Sequence, residues 1–190
     1  MLNNNNTLKS YCITDPNYYT NNIKIFEDRL NNTLLKNNID MICLRDKNSS
    51  NIEELSKIFI KICKKYNIKD ILINTHLNLA VKHNYQAIHL NSNQFDKIKE
   101  AKKNNLKTII SCHNKEDIKK AISLKANMVT YSPIFNTPNK SNIKGIKNLD
   151  KITKEFNIKI IALGGITTQN HINDIKTTSS YGFASIRYFI

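Results

Sequence analysis

Eight short apolar runs, separated by longer stretches of mixed polarity, constrain the fold of this chain more than any other feature. The runs are Tyr11 to Thr14, Met41 to Leu44, Ile71 to Ile73, Ala87 to Leu90, Lys107 to Ile110, Met128 to Tyr131, Lys159 to Leu163 and Phe183 to Ile186. Each has the length of a buried strand. Between most of them apolar residues recur at helical spacing: Ile23, Phe26, Leu30 and Leu34; Ile52, Leu55, Ile58, Phe59 and Ile62; Ile118, Ala121, Ile122 and Leu124. Asn51 before Glu53 and Glu54, Asn114 before Glu116 and Asp117, and Thr167 after the seventh run read as helix caps. Strands that alternate with helices pair in parallel, because the crossover helix carries the chain back to the same end of the sheet.

Eight such units predict a single (β/α)₈ barrel spanning residues 1–190 as one domain. The competing architecture, an open doubly wound sheet, usually has five or six strands and a glycine-rich turn after the first. Here Asp15-Pro16-Asn17 follows the first run. Few residues follow the eighth run, so the last helix is expected to be missing or vestigial, and the first ten residues are too polar to replace it. An apolar gap near the first and eighth strands is therefore expected, of the kind a second subunit of a homo-oligomer fills.

Charge is read against a strong compositional bias. The chain has 30 Asn, 30 Ile and 26 Lys, so its net charge of +14 is spread over scattered lysines. Without an arginine cluster, interleaved aromatics or a metal finger, that charge argues only for non-specific attraction to polyanions, and no specific nucleic-acid partner is expected. No apolar run is long enough to span a membrane, and the polar N-terminus leaves the cytoplasm as the expected location. Cys12, Cys43, Cys63 and Cys112 lack metal-ligand spacing and read as free thiols. Adjacent strand residues face opposite sides, so Cys112 and His113 make a poor nucleophile and base pair.

In a barrel the chemistry lies just beyond the C-terminal ends of the strands. After the second run, the strand period places Met41, Cys43, Arg45 and Lys47 on one face, and an inward face would bring two cations to the mouth. Such cations repel unless an anion lies between them, which points to a phosphate or diphosphate. Gly164 and Gly165 follow the seventh run and open a helix, an arrangement suited to presenting backbone N–H groups to an anion. The loop from Ser132 to Lys140 is long for a strand-to-helix connection, and its Thr137 and Lys140 are anion donors. Arg187 ends the eighth run beside the glycine pair, and in a chain with three arginines it is expected to bind the same phosphate.

These segments together resemble the thiamine phosphate synthase and TenI family from about Tyr11 to Ile190. The matching stretches are Tyr11 to Asp15, Leu44 to Lys47, Ile73-Asn74, Ile88 to Leu90, Ser111 to His113, Pro133 to Lys140 and Ala162 to Thr167. The resemblance implies a (β/α)₈ barrel that joins a thiazole phosphate to hydroxymethylpyrimidine diphosphate and releases diphosphate, with Mg²⁺. It implies that Arg45, Lys47, Ser111 and Lys140 hold the diphosphate and form the catalytic set. Asn74 would contact the pyrimidine, with Thr137 in the gripping loop and Gly165 on the thiazole phosphate.

The chain also departs from the family pattern. Thr75 and Gln94 stand where two Mg²⁺-holding carboxylates belong, so no metal ligand is assigned and any Mg²⁺ would ride on the ligand's own diphosphate. Cys43 replaces a glutamine, Arg187 replaces a serine, and Pro133 stands where a thiazole tautomerase has its histidine. Two further readings therefore stand beside the synthase. One is a non-catalytic regulatory barrel that binds thiazole phosphate or thiamine phosphate, and the other is a tautomerase using His76 or His113.

Overall fold

A computed structural model describes residues 7–138 and 140–190; most of the polar N-terminal stretch, residues 1–6, and Asn139 lie outside the described residues. The strands are β1 (Lys9–Ile13), β2 (Met41–Leu44), β3 (Asp70–Asn74), β4 (Ala87–Leu90), β5 (Lys107–Cys112), β6 (Met128–Tyr131), β7 (Lys159–Leu163) and β8 (Gly182–Ser185). All pair in parallel with their sequence neighbours, and β1 closes on β8 through Tyr11 opposite Ala184. The helices are α1 (Pro16–Tyr19) and α2 (Ile23–Lys36) before β2, then α3 (Ile52–Lys65), α4 (Leu77–Lys82), α5 (Lys97–Lys103), α6 (Lys115–Ser123), α7 (Gly145–Glu155) and α8 (Gln169–Lys176), one in each later connection. The expected (β/α)₈ barrel is formed. A 3₁₀ turn, Arg187–Phe189, follows β8.

The period of two explains why the strands are apolar on both sides. On β2, Met41 and Cys43 point into the barrel while Ile42 and Leu44 pack under the helices. The interior column is completed by Tyr11, Ile13, Leu72, Ala87, Ile109, Met128, Ile161 and Ala184. Each large side chain buried this way contributes about 1.5–3 kcal/mol, so both layers favour one register.

The helices follow the sequence reading with local differences. Phe26, Leu30 and Leu34 of α2, and Leu55, Phe59 and Ile62 of α3, are buried as expected. Ile122 lies at the edge of the apolar stripe centred on Ile118 and Ala121, and is 38% exposed. Asn114 caps α6 by accepting from the Asp117 amide at 2.7 Å. Asn51 makes no cap bond because its amide nitrogen donates to the Asn21 carbonyl at 2.8 Å. The cap of α8 is Thr168, one residue later than the sequence suggested. Near β1 and β8, Phe189 stacks on Phe183 at 5.8 Å and covers part of the expected gap. A 230 Å³ groove lined by Tyr18, Tyr19, Arg29, Phe189 and Ile190, among others, remains.

Candidate active site

Because every strand is parallel, all eight C-terminal ends meet at one mouth. They enclose a cavity of about 500 Å³, within the range of small-ligand sites. The nine residues singled out from the sequence, Arg45, Lys47, Asn74, Ser111, Thr137, Lys140, Gly164, Gly165 and Arg187, all line it. Four of these are cations, and among the described residues no carboxylate lines the wall. Lys47, Lys140 and Arg187 are exposed and enter no salt bridge among the described residues.

Arg45 differs from expectation. Instead of facing an unbalanced neighbour, its Nη1 lies 2.5 Å from Asp15 Oδ2 at the end of β1. Its amide donates to Thr14 Oγ1 at 2.9 Å. The guanidinium is thus oriented and partly neutralised before any ligand arrives. Asp46, the next residue along the chain, does not pair with Arg45 and is bonded locally. It accepts from the Asn48 and Ser49 amides at 3.0 Å and from Ser49 Oγ. Burial opposes its ionisation, but those hydrogen bonds hold Asp46 below the ordinary carboxylate range.

Asn74 is buried, and its Nδ2 donates to the His89 carbonyl at 2.8 Å, which fixes the amide plane and leaves Oδ1 as an acceptor. His89 itself was not singled out as a site residue, although alternation along β4 places it with Ala87 on the inner face. Its Nδ1 is 2.9 Å from Tyr11 Oη and its Nε2 is 3.2 Å from Ser111 Oγ. A phenol is the better donor, so Tyr11 gives its hydrogen to Nδ1, and Nε2–H donates to Ser111. The Ser111 hydroxyl hydrogen is then free to point at a ligand. Burial, and next the charge of Arg45, push the His89 imidazole down to about 4.

The two candidate bases occupy different places. His113 lines the cavity with Nδ1 3.2 Å from the Ser132 carbonyl, whereas His76 precedes α4 and is absent from the wall. Cys43 and Cys112 are buried, and burial raises both thiols, Cys43 to about 12. Neither is a nucleophile at neutral pH.

The long β6–α7 loop lies against the glycine turn. The Ile134 amide donates to the Leu163 carbonyl, and the Phe135 amide to the Gly164 carbonyl, both at 3.0 Å. Gly164 and Gly165 have φ of +98° and +72°. A Cβ on Gly164 would lie 2.8 Å from Pro133 Cα, so close approach of the loop demands glycine as much as ligand access does. Thr137 Oγ1 donates to the Phe135 carbonyl at 3.0 Å, and Thr137 pairs with Lys140 in an isolated antiparallel bridge. Ser185, also unforeseen, joins β8 to this turn by donating to the Ile166 carbonyl at 2.6 Å.

Thr75 and Gln94 are adjacent, as the resemblance implies, but their donors do not suit Mg²⁺. Gln94 Nε2 donates to the Thr75 carbonyl at 3.2 Å, and Gln94 Oε1 accepts from the Asn91 amide. Thr75 Oγ1 donates to the Asn74 carbonyl at 2.7 Å. Among the described residues no cluster of three metal-binding side chains occurs. A hard cation seeks carboxylate oxygens, and Asp15 and Asp46, the acids that follow β1 and β2, are already engaged.

Comparison with known proteins agrees with this architecture. A family model described as thiamine monophosphate synthase matches residues 10–188. A provisionally named thiamine-phosphate synthase 2 of Aquifex aeolicus is 31% identical over 185 residues, covering 95% of this chain and 96% of that one. A thiamine-phosphate synthase of Prochlorococcus marinus subsp. pastoris is 30% identical over 183 residues; the match covers 93% of this chain and about half, 48%, of that longer protein. The structure of a thiamine phosphate pyrophosphorylase from Pyrococcus furiosus shares the fold with a TM-score of 0.80 at 21% identity, covering 95% of this chain and 86% of that one.

Proposed function

The chain belongs to the thiamine monophosphate synthase family, and from that premise we propose that it joins hydroxymethylpyrimidine diphosphate to thiazole phosphate in thiamine biosynthesis. The observation that carries this reading is one cavity with four cations and no lining carboxylate among the described residues. In the reaction, the bond between the pyrimidine methylene carbon and the diphosphate oxygen breaks, and its electron pair leaves with diphosphate. The thiazole ring nitrogen then gives its lone pair to the methylene carbon. No proton needs to be removed from either ring to form that bond, so the chief demand is charge neutralisation of the leaving group. Arg45, Lys47, Ser111 and Lys140 meet that demand, with Thr137 holding the loop in place. Asn74 orients the pyrimidine, and Gly164, Gly165 and Arg187 take the thiazole phosphate.

Among the described residues Mg²⁺ finds no suitable donor set, and no step is assigned to it. Incubation with both substrates is expected to yield thiamine phosphate at a rate that a chelator changes little. Binding of thiazole phosphate without product would favour the regulatory barrel, which the Thr75 and Gln94 replacements support. Neither binding nor product would reject both. A strict Mg²⁺ requirement would show that the roles given to Thr75 and Gln94 are wrong.

Arg187 provides a separate test. Its side chain lines the cavity, it opens the 3₁₀ turn after β8, and no salt bridge competes for it among the described residues. A charge-assisted contact is worth about 1.5–3 kcal/mol, so Arg187→Ser is expected to weaken thiazole phosphate binding by about one to two decades. Calorimetric titration of wild type and variant checks this, and equal dissociation constants would remove Arg187 from the site.

A further inference from the structure

One side chain outside the cavity wall touches both halves of the proposed anion site. His171 lies in the first turn of α8, where its amide donates to the Thr168 hydroxyl at 3.3 Å. Its imidazole turns back, and Nδ1 accepts from the Thr167 amide at 3.2 Å. The same ring stacks on Phe135 of the β6–α7 loop, with centroids 4.2 Å apart and planes 26° from parallel. Phe135 in turn donates its amide to the Gly164 carbonyl and accepts from Thr137 at its own carbonyl. One imidazole therefore joins the glycine turn at Gly164–Thr167 to the loop that carries Thr137 and Lys140.

We propose that His171 is a positioning residue that couples these two segments, so that the placement of Phe135 and Thr137 beside the cavity also sets the backbone of the glycine turn. The inference rests on the anion-site reading for its functional meaning, though the coupling itself is testable without ligand. Its chemistry is specific. Accepting the Thr167 hydrogen requires a lone pair on Nδ1, so Nε2 carries the ring hydrogen. Stacking requires a planar ring, which an aliphatic residue cannot supply. Two substitutions separate these contributions: His171→Asn keeps an acceptor near the Nδ1 position without the ring, and His171→Phe keeps a stacking ring without the acceptor.

The test is amide hydrogen exchange over residues 132–138 and 164–168, first without ligand and then with inorganic pyrophosphate. In the ligand-free protein, Phe135→Leu is expected to speed exchange at Thr167, across the segment boundary, and His171→Ala to speed exchange in the β6–α7 loop. His171→Asn should restore protection at Thr167 but not in the loop, and His171→Phe should do the reverse. Pyrophosphate affinity should fall roughly two- to tenfold in His171→Ala, the effect of one neutral hydrogen bond. The effects of Phe135→Leu and His171→Ala should combine to less than their product.

Unchanged ligand-free exchange across the boundary in both single variants would overturn the coupling, as would equal loss in the Asn and Phe variants, which marks a general packing role. If wild type binds neither pyrophosphate nor thiazole phosphate, the proposed function fails instead, and the ligand-free exchange still decides the coupling.

Discussion

Gly165→Ala is expected to destabilise the protein by about 2–5 kcal/mol and to abolish measurable pyrophosphate binding. Two costs add. The residue sits at φ +72°, where a Cβ costs roughly 1–2 kcal/mol. The added atom would also lie 2.6 Å from the Phe135 carbonyl carbon and 2.7 Å from its oxygen. Those are backbone atoms, so relief requires lifting the β6–α7 loop, and overpacking of this kind typically costs about 1–3 kcal/mol. Gly145 is the internal control, because it has φ +73° but nothing within 4 Å of the place a Cβ would take. Gly145→Ala should therefore show only the backbone cost and keep its ligand affinity. Urea unfolding and calorimetric titration of both variants check the difference. Equal stability losses would mean that loop contact contributes nothing at Gly165.

His89 should make the fold sensitive to mild acid. Its imidazole is pushed down to about 4 in the folded chain, first by burial and then by Arg45, against about 6.5 when unfolded. The folded state thus favours the neutral ring. Its contribution is fully present above about pH 6.5 and is lost as pH falls through that value towards 4, to a total of about 3 kcal/mol. Asp46, whose carboxyl is held low in the fold, loses its contribution only in the lower carboxylate range. Unfolding free energies measured between pH 7.5 and 4.5 should therefore fall more steeply in wild type than in His89→Leu. Parallel slopes would show that His89 is not the group responsible. The same variant leaves Tyr11 and Ser111 without their shared partner, and turnover should fall with it.

Much of the architecture was legible because its causes are local. All eight runs became strands, and β2, β4, β6 and β7 have the boundaries read from the sequence. Each run is buried on both faces, so its apolar residues mark it without knowledge of its partners. That the nine residues singled out from the sequence reach the barrel mouth was also legible, since each lies at the C-terminal end of a strand or in the loop that follows, and parallel closure brings such positions to one end. Local backbone detail was harder. Asn51 found a partner in Asn21 instead of its own helix, and the cap of α8 is Thr168, whose hydroxyl accepts from the His171 amide.

By itself, then, the amino-acid order determined that eight strands alternate with helices, which faces of each are apolar, and which polar residues reach the barrel mouth. Periodicity and strand-end position are properties of a few consecutive residues, and they survive any choice of neighbour. Only the closed barrel decided that Arg45 meets Asp15 and not Asp46, that Tyr11 on β1 and Ser111 on β5 share His89 on β4, and that the Phe135 carbonyl occupies the space a side chain at Gly165 would need. The hydrogen-bonded partners among these are 22 to 78 residues apart along the chain. Their distances are set by strand register and barrel curvature, which act between segments that no local pattern connects.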